Sequence, residues 1–199
     1  MNRREALKMM AVGSLMLGMT DELVARPRSN AERFCVGSVC FPRIWTEDEQ
    51  NLPLRGAGKL TWWGFSVYTS AFYCGREAQT VEDVLGNRAR RLVLHYHRSI
   101  KATDIARATE YWVKRNPRND HAALEERLKT LYGLLQNVRS GDEYGMYYKP
   151  DVGTIIQLNQ DKAADPIPGE DFGRAFFGIW LSEVPLKEDL RDRLIYGEA

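Results

Sequence analysis

Hydrophobic positions in the first half of the chain follow the pattern of β-strands. From Cys35 to Tyr73 the apolar residues are mostly aromatic or β-branched, and residues 62–73 are the richest in them. The run Gly56-Ala57-Gly58 lies inside this stretch and permits a bend or bulge. The pattern therefore predicts β structure from Cys35 to Tyr73 with an irregularity near Gly56.

Three later segments are also predicted to be strands. Residues 91–99 alternate along the chain, as expected for a strand with two distinct faces. One face carries Leu92, Leu94 and Tyr96, and the other carries Val93, His95 and His97. Residues 143–149 and 154–158 follow as two more strands, and the residues between them supply a turn.

A 3.6-residue periodicity predicts helices in the second half of the chain. The clearest helix spans residues 122–138, where leucines recur on one face and Asp120 can cap the start. Further helical segments are predicted over residues 80–85, 103–114, 169–181 and 187–194. Strands and helices are grouped rather than strictly alternating. This grouping favours an α+β fold with a largely antiparallel sheet and helices packed on one face.

The first residues have the composition of an export signal. Arg3, Arg4 and Lys8 precede an uncharged apolar run, residues 9–19, which is about half of the ~20 residues that a membrane-spanning helix needs. The basic part is similar to the twin-arginine signal. We therefore expect residues 1–25 to be a signal that directs the protein to the periplasm, followed by a linker over residues 26–34. The alternative is an uncleaved segment that tethers the protein to the inner membrane.

Charge and cysteine content narrow the possible functions. The chain has 28 basic and 27 acidic side chains and no basic stripe, so we expect no nucleic-acid partner. Arg88, Arg90 and Arg91 form a cluster typical of a solvated turn before a strand.

The three cysteines, Cys35, Cys40 and Cys74, cannot all pair within one chain. On one straight strand Cys35 and Cys40 would face opposite sides, so a disulfide between them needs an intervening bend. We expect buried free thiols, with one opportunistic pair as the alternative.

Two stretches of sequence carry a family resemblance. The first is LPLRGAG at 52–58 followed by FSVYTSAFY at 65–73, and the second is GTIIQLN at 153–159, IPGEDFGRA at 167–175 and IWL at 179–181. In this order and at this spacing they resemble the bacterial exported chalcone-isomerase-like family. The predicted strands and helices between them also occur in the family's order. The resemblance covers residues 35–196, which we interpret as one domain.

The resemblance implies an open-faced β-sandwich, in which a large antiparallel sheet is covered on one face by a layer of helices. It also implies a ligand cleft between the sheet and the helices. The family includes plant chalcone isomerases, plant fatty-acid-binding relatives and many bacterial exported members. We expect no cofactor.

Two positions differ from the site that the plant isomerases use. Their arginine, which stabilises negative charge during ring closure, falls at Leu60, and their water-orienting threonine falls at Tyr68. Without the cation, the transition state loses about 3 kcal/mol or more, by analogy with oxyanion-hole deletions. The resemblance therefore favours a protein without chalcone isomerase activity, and we assign no catalytic residue.

The fatty-acid-binding relatives hold a carboxylate with the same arginine and a tyrosine. The resemblance implies that Tyr68 is this tyrosine, and that Lys59 replaces the arginine if a glycine bulge shifts the strand register. Arg107 and Tyr111 lie on the helix that borders the cleft in relatives, so they are further candidate contacts.

Other candidates have structural interpretations. Trp62, Trp63, Trp112 and Trp180 are expected in the core, and Trp62 is also a candidate ligand contact beside Leu60. His95 and His97 have a spacing that can bind a metal, but no acidic or cysteine partner is near in sequence, so we expect no metal site.

The leading prediction is an exported, non-catalytic binding protein for a small hydrophobic ligand such as a fatty acid. Two alternatives stay open. One is an isomerase or lyase of the chalcone isomerase type with an altered site that uses Tyr68. The other is an interaction protein that keeps the fold without a ligand cleft. The sequence does not define an oligomeric state.

Overall fold

The computed structural model of the protein describes residues 32–47 and 50–197. The predicted signal over residues 1–25 and most of the predicted linker lie outside the described residues. The first strand begins at Arg33, just before the predicted start of the domain. In the described part of the chain, every helix is too short or too polar to cross a membrane.

The residues that the structure describes contain eight strands, which form two antiparallel units. The strands are β1 (Arg33–Val36), β2 (Val39–Pro42), β3 (Ile44–Glu47), β4 (Gln50–Trp62), β5 (Phe65–Cys74), β6 (Arg90–Tyr96), β7 (Glu143–Lys149) and β8 (Gly153–Leu158). β1 and β2 form a hairpin, and β3 to β8 form a six-stranded sheet in sequential order. Each strand of the sheet pairs with its neighbours in sequence, so the sheet is a meander.

Within residues 32–47 and 50–197 there are also five helices. They are α1 (Val81–Leu85), α2 (Ala102–Arg115), α3 (His121–Leu134), α4 (Glu170–Leu181) and α5 (Glu188–Tyr196). Asp120 caps α3 as predicted, since its carboxylate accepts a hydrogen bond from the Ala123 amide at 3.1 Å. α3 ends before the predicted residue 138 because the backbone of Val138 pairs with Ile100 in an antiparallel bridge.

The predicted irregularity near Gly56 is present in β4. The register with β5 shifts between Leu54 and Gly56 and again between Leu60 and Thr61. A Cβ atom on Gly56 would collide with the backbone carbonyl of Arg193 in α5. Glycine is therefore required here because the helix packs directly onto the strand backbone.

The helices cover one face of the sheet, which confirms the predicted α+β architecture. The larger core lies between this face and the helices, where Phe72 and Leu92 meet Phe177 and Leu181. On the opposite face a smaller core forms where the β1–β2 hairpin covers part of the sheet. It includes Val39, Phe41, Ala71, Tyr73, Val93 and Tyr147.

The expectation of free thiols is wrong for two of the cysteines. Cys35 and Cys40 form a disulfide and lie directly opposite each other across the β1–β2 hairpin. Gly37, with φ of 63°, makes the turn between them, so the five-residue separation brings the side chains together. Cys74 is a buried free thiol.

The expectation of a solvated arginine turn is also wrong in part. Arg88 is partly exposed, but Arg90 and Arg91 are buried. Both are the first residues of β6, where Arg90 faces the helices. A buried guanidinium needs compensating contacts, and for Arg91 the guanidinium carbon lies 3.5 Å from the ring centroid of Trp45.

Candidate ligand-binding cavity

A cavity of about 760 Å³ lies between the sheet and the helix layer. Apolar side chains of β4 to β8 form one wall: Leu60, Val67, Leu94, Met146 and Ile156. Apolar side chains of α2 and α4 form the other: Ile105, Trp112, Phe176, Ile179 and Trp180. The volume falls within the range of about 300–1,000 Å³ that is typical of small-molecule sites. The second alternative, an interaction protein that keeps the fold without a ligand cleft, disagrees with this cavity.

Strand pairing places Tyr68 and Tyr96 side by side on the sheet wall, next to Leu60. Leu60 pairs with Tyr68 across β4 and β5, and Tyr68 pairs with Tyr96 across β5 and β6. Paired residues point to the same side of a sheet, so all three face the helices. On the opposite wall α2 presents the small residues Ala108 and Thr109. These side chains are too short to reach the sheet, which leaves the space open.

The Tyr68 side chain is held in place on the sheet wall of the cavity. Its hydroxyl oxygen accepts a hydrogen bond from the Trp180 indole N–H at 2.8 Å. Its ring lies edge-on to that of Tyr96, with centroids 5.7 Å apart. Because the oxygen accepts from Trp180, the Tyr68 proton can be donated to a molecule in the cavity.

The tyrosines of the cavity are neutral hydrogen-bond donors rather than bases. Burial raises the pKa of Tyr68 far above its ordinary value, and the Trp180 hydrogen bond offsets only part of this rise. Burial also raises the pKa of Tyr96. Both hydroxyls therefore stay protonated at neutral pH and can orient a polar group without taking up its proton.

Charged side chains occur at the cavity mouth only, as far as the described lining residues show. They are Arg98, Lys101 and Asp104, all exposed to solvent. The guanidinium carbon of Arg98 lies 5.9 Å from the ring centroid of Phe65 in β5. The cavity therefore has an apolar interior and a charged entrance.

Exposed aromatic side chains border this entrance at the β4–β5 turn. Trp62, Trp63 and Phe65 all contribute to the lining. Trp63 is 87% exposed and Trp62 is 49% exposed. The expectation that Trp62 and Trp63 belong to the core is wrong, because they lie at the tip of the hairpin, beyond the helix layer.

Three of the predicted ligand contacts line the cavity and three do not. Leu60, Trp62 and Tyr68 contribute to its walls. Arg107 instead pairs with Asp104 on the exposed side of α2, at 3.4 Å. The Tyr111 hydroxyl accepts a hydrogen bond from Arg115 at 3.2 Å, away from the cavity.

The expectation that Lys59 replaces the missing arginine disagrees with the structure. Lys59 is exposed and pairs with Thr69 on the sheet face opposite the helices. The register shifts of β4 fall at Leu54/Gly56 and at Leu60/Thr61, so none separates Lys59 from Leu60. Successive side chains on a regular strand point to opposite faces, which turns Lys59 away when Leu60 faces the cavity.

His95 and His97 also lie on the face opposite the cavity. Their ring centroids are 5.7 Å apart, and His97 Nε2 lies 2.7 Å from the Thr69 hydroxyl. Burial and the charge of Lys59 lower the pKa of His97. Among the described residues, no cluster of three potential metal ligands forms here or elsewhere.

Sequence reasoning missed several cavity residues. Tyr96 shares its strand face with Leu92 and Leu94, so alternation could have identified it once Tyr68 was placed. Trp180 was expected in the core, and only the three-dimensional packing shows its hydrogen bond to Tyr68. Arg98 follows β6 and gave no sequence signal as an entrance residue.

Comparison with known proteins agrees with this architecture. A family model described as chalcone isomerase-like matches residues 34–195. The crystal structure of a fatty-acid binding protein from Arabidopsis thaliana is similar, with a TM-score of 0.60 and 11% sequence identity. The alignment covers 83% of this chain and 96% of that chain, and at this identity it shows the fold alone. No curated protein matches the sequence.

Proposed function

The chain belongs to the chalcone isomerase-like family, and from that premise we propose that it is a non-catalytic binding protein for a small hydrophobic ligand such as a fatty acid. The observation that carries this proposal is the cavity of about 760 Å³ with an apolar interior and a charged entrance. The solved relative that binds fatty acid supports the choice of ligand class.

An acyl chain suits the interior on energetic grounds. Each buried methylene contributes about 0.8 kcal/mol, so ten of them contribute roughly 8 kcal/mol before the entropic cost of binding is subtracted. The walls of Leu60, Leu94, Met146, Ile156 and Ile179 supply the apolar contacts. Apolar burial is therefore the main source of affinity, and it does not need a buried ion pair.

The carboxylate is proposed to stay at the entrance. A carboxylate buried without a cation loses its hydration and gains no compensating charge. The polar side chains of the interior, such as the hydroxyls of Tyr68 and Tyr96, are neutral, whereas Arg98 and Lys101 are at the mouth. The head group therefore lies near Arg98 and Lys101, and the acyl chain extends towards Tyr68.

The same distribution of charge supports a binding role over catalysis of the chalcone isomerase type. That reaction develops negative charge, which Leu60 cannot stabilise. Tyr68 and Tyr96 are held neutral by burial, which raises their pKa values, so they are poor bases at neutral pH.

Export to the periplasm by the twin-arginine route is part of the proposal. Its support is the basic and apolar composition of residues 1–25. The Cys35–Cys40 disulfide adds support, because such bonds persist in oxidising compartments. Identifying the amino-terminal residue of the exported protein would show whether the segment is cleaved or kept as an inner-membrane tether.

A blocked-cavity variant tests the proposed ligand site. Ala108→Phe places a ring at the cavity wall, while Thr103→Phe places one on an exposed residue of α2 that is not part of the lining. The affinity measured by displacement of a fluorescent fatty acid should fall at least about tenfold for Ala108→Phe only. The reason is that the introduced ring occupies volume that methylenes would otherwise fill. Native mass spectrometry should show bound fatty acid on the unmodified protein. An unmodified protein that repeatedly stays empty in added fatty acid would disprove the proposal.

A further inference from the structure

The β4–β5 hairpin ends in an aromatic tip, defined here as Trp62, Trp63 and Phe65. We propose that this tip docks the cavity mouth onto a lipid bilayer that contains anionic head groups. The proposal concerns a surface, so it holds whether or not the cavity ligand is a fatty acid. Its basis is the exposure of the tip, its backbone conformation and the charges beside it.

The tip exposes more aromatic surface than any role inside the chain requires. Trp63 is 87% exposed, Phe65 is 65% exposed and Trp62 is 49% exposed. Single exposed apolar residues are common, but a contiguous aromatic group marks an interaction surface. Tryptophan is favoured at the interface between water and lipid because its ring is apolar and its N–H can stay hydrated.

The backbone of the tip is held in a conformation that projects these rings outwards. Trp63 and Gly64 both have positive φ, at 52° and 78°, and form a two-residue turn between paired strands. A non-glycine residue in this region costs about 1–2 kcal/mol. At Trp63 no burial within the described chain offsets this cost, since the side chain is almost fully exposed. The pairing of Trp62 with Phe65 holds the turn, and an external apolar environment would bury the ring that the turn projects.

The charge beside the tip fits an anionic lipid surface. Arg98 lies 5.9 Å from the Phe65 ring centroid, and Lys101 is also at the mouth. The nearby acidic group, Asp104, pairs with Arg107. Basic side chains next to an apolar insertion element strengthen binding to anionic lipids.

A bilayer fits the position of the tip better than a second copy of the chain. The tip borders the cavity mouth, so docking it in lipid would give an apolar molecule a path that avoids water. A second cavity, near Arg118, measures only about 50 Å³ and is too small to receive an indole ring. The inferred partner is therefore the lipid surface itself.

Tryptophan fluorescence tests the insertion in the full chain. The five tryptophans are Trp45, Trp62, Trp63, Trp112 and Trp180, so none lies in the predicted signal segment. Vesicles of phosphatidylcholine and phosphatidylglycerol with brominated acyl chains should quench the unmodified protein more strongly than a Trp62→Phe/Trp63→Phe variant. The phenylalanines keep the tip apolar while removing its two reporters. Equal quenching of both proteins would overturn the proposal.

Vesicle flotation measures the contribution of the tip to binding. Trp63→Ala/Phe65→Ala should lower the vesicle partition coefficient by about tenfold or more, since each exposed ring contributes on insertion. Ile44→Ala is the matched control, because Ile44 is 58% exposed but lies in β3, outside the cavity mouth. Any contribution of the signal segment is common to all three proteins. Equal flotation of the double variant and the control would also overturn the proposal. Concentration-dependent dimers that the double variant loses, without vesicle binding, would assign the tip to self-association instead.

Discussion

The two sides of α4 pack against the same sheet in different ways. On one side Phe177 lies against Arg90, whose guanidinium carbon is 5.0 Å from the ring centroid, and Tyr148 lies 4.3 Å from the same carbon. We call this the filled side. On the other, hollow side, Phe176 and Trp180 face the cavity.

On the filled side the long side chain of Arg90 occupies space between α4 and the sheet, whereas the corresponding space on the hollow side is open. Arg90 is fully buried and donates to the Gly86 carbonyl at 2.6 Å. Burial lowers the pKa of Arg90 to about 10, which leaves it charged at neutral pH. No carboxylate within the described chain forms an ion pair with it, so ring faces and carbonyls compensate the charge. We therefore expect core substitutions to cost more stability on the filled side than on the hollow side, which keeps its space for a ligand.

The largest expected effect comes from removing the cation of the filled side. Arg90→Ala leaves a void and unpaired carbonyls, so we expect the free energy of unfolding to fall by about 3–5 kcal/mol. Urea denaturation measures this loss. Fatty-acid affinity of the remaining folded protein should be unchanged, because Arg90 does not line the cavity. Arg107→Ala, at an exposed position, is the control and should leave stability nearly unchanged. If Arg90→Ala lowers the free energy of unfolding no more than the control does, Arg90 does not stabilise the filled side.

Two leucines on β6 allow the filled and hollow sides to be compared with the same substitution. Leu92 and Leu94 share one strand face and are both buried, but only Leu94 lines the cavity. Leu92→Ala should cost about 3–4 kcal/mol of stability, and Leu94→Ala about 2 kcal/mol, because Leu94 already lacks neighbours on one side. Denaturant titration of both variants checks the order. Equal losses would mean that the cavity closes around Leu94 in solution.

Much of the fold could be predicted from the sequence because its local signals agree with its packing. The alternation of residues 91–96, the capped helix after Asp120 and the small residues at Gly56 all reappear in the structure, although the strand predicted over residues 91–99 ends at Tyr96. The exception at Cys35 and Cys40 arose from assuming one straight strand. The positive φ of Gly37 folds it into a hairpin.

The site was less predictable because it depends on distances that no local pattern encodes. The position of Lys59 depended on where the β4 bulges fall, and a shift by one residue would have reversed its face. Arg90 could not be distinguished from a solvated arginine, since its compensating rings, Tyr148 and Phe177, are far away in sequence. The exposure of Trp63 likewise depends on where the helix layer ends.

Restoring a cation to the hollow side tests what its absence does. Leu60→Arg would place a guanidinium across from Tyr68, inside the cavity wall. This interior cation should draw the carboxylate from the entrance towards Tyr68, where a charge-assisted hydrogen bond raises fatty-acid affinity about tenfold. A fatty alcohol of equal length is the matched ligand and should gain nothing. If both ligands gain equally, the effect is apolar contact rather than recognition of the carboxylate.

The smallest expected effect concerns the anchor of the hollow side. Tyr68→Phe removes the acceptor of the Trp180 N–H, so we expect a loss of about 1 kcal/mol at neutral pH. Thermal unfolding or denaturant titration measures the difference from the unmodified protein. Leu94→Ala, on the same side, should cost more because it removes apolar contacts rather than one hydrogen bond. A larger loss for Tyr68→Phe would mean that the hydroxyl holds α4 in place.

Alkaline pH should reduce the difference in unfolding free energy between the unmodified protein and Tyr68→Phe. Burial raises the folded-state pKa of Tyr68 above the ordinary value of 10.0. The stability that depends on the neutral phenol is therefore complete below pH 10 and is lost as the pH rises towards the folded-state pKa. The phenyl ring introduced by Tyr68→Phe cannot ionise, so that variant escapes the loss at this position. The gap in unfolding free energy between the two proteins should shrink from about pH 10 upwards. A gap that stays constant to about pH 11 would place the Tyr68 hydroxyl in contact with solvent, and the hollow side would then be open rather than enclosed.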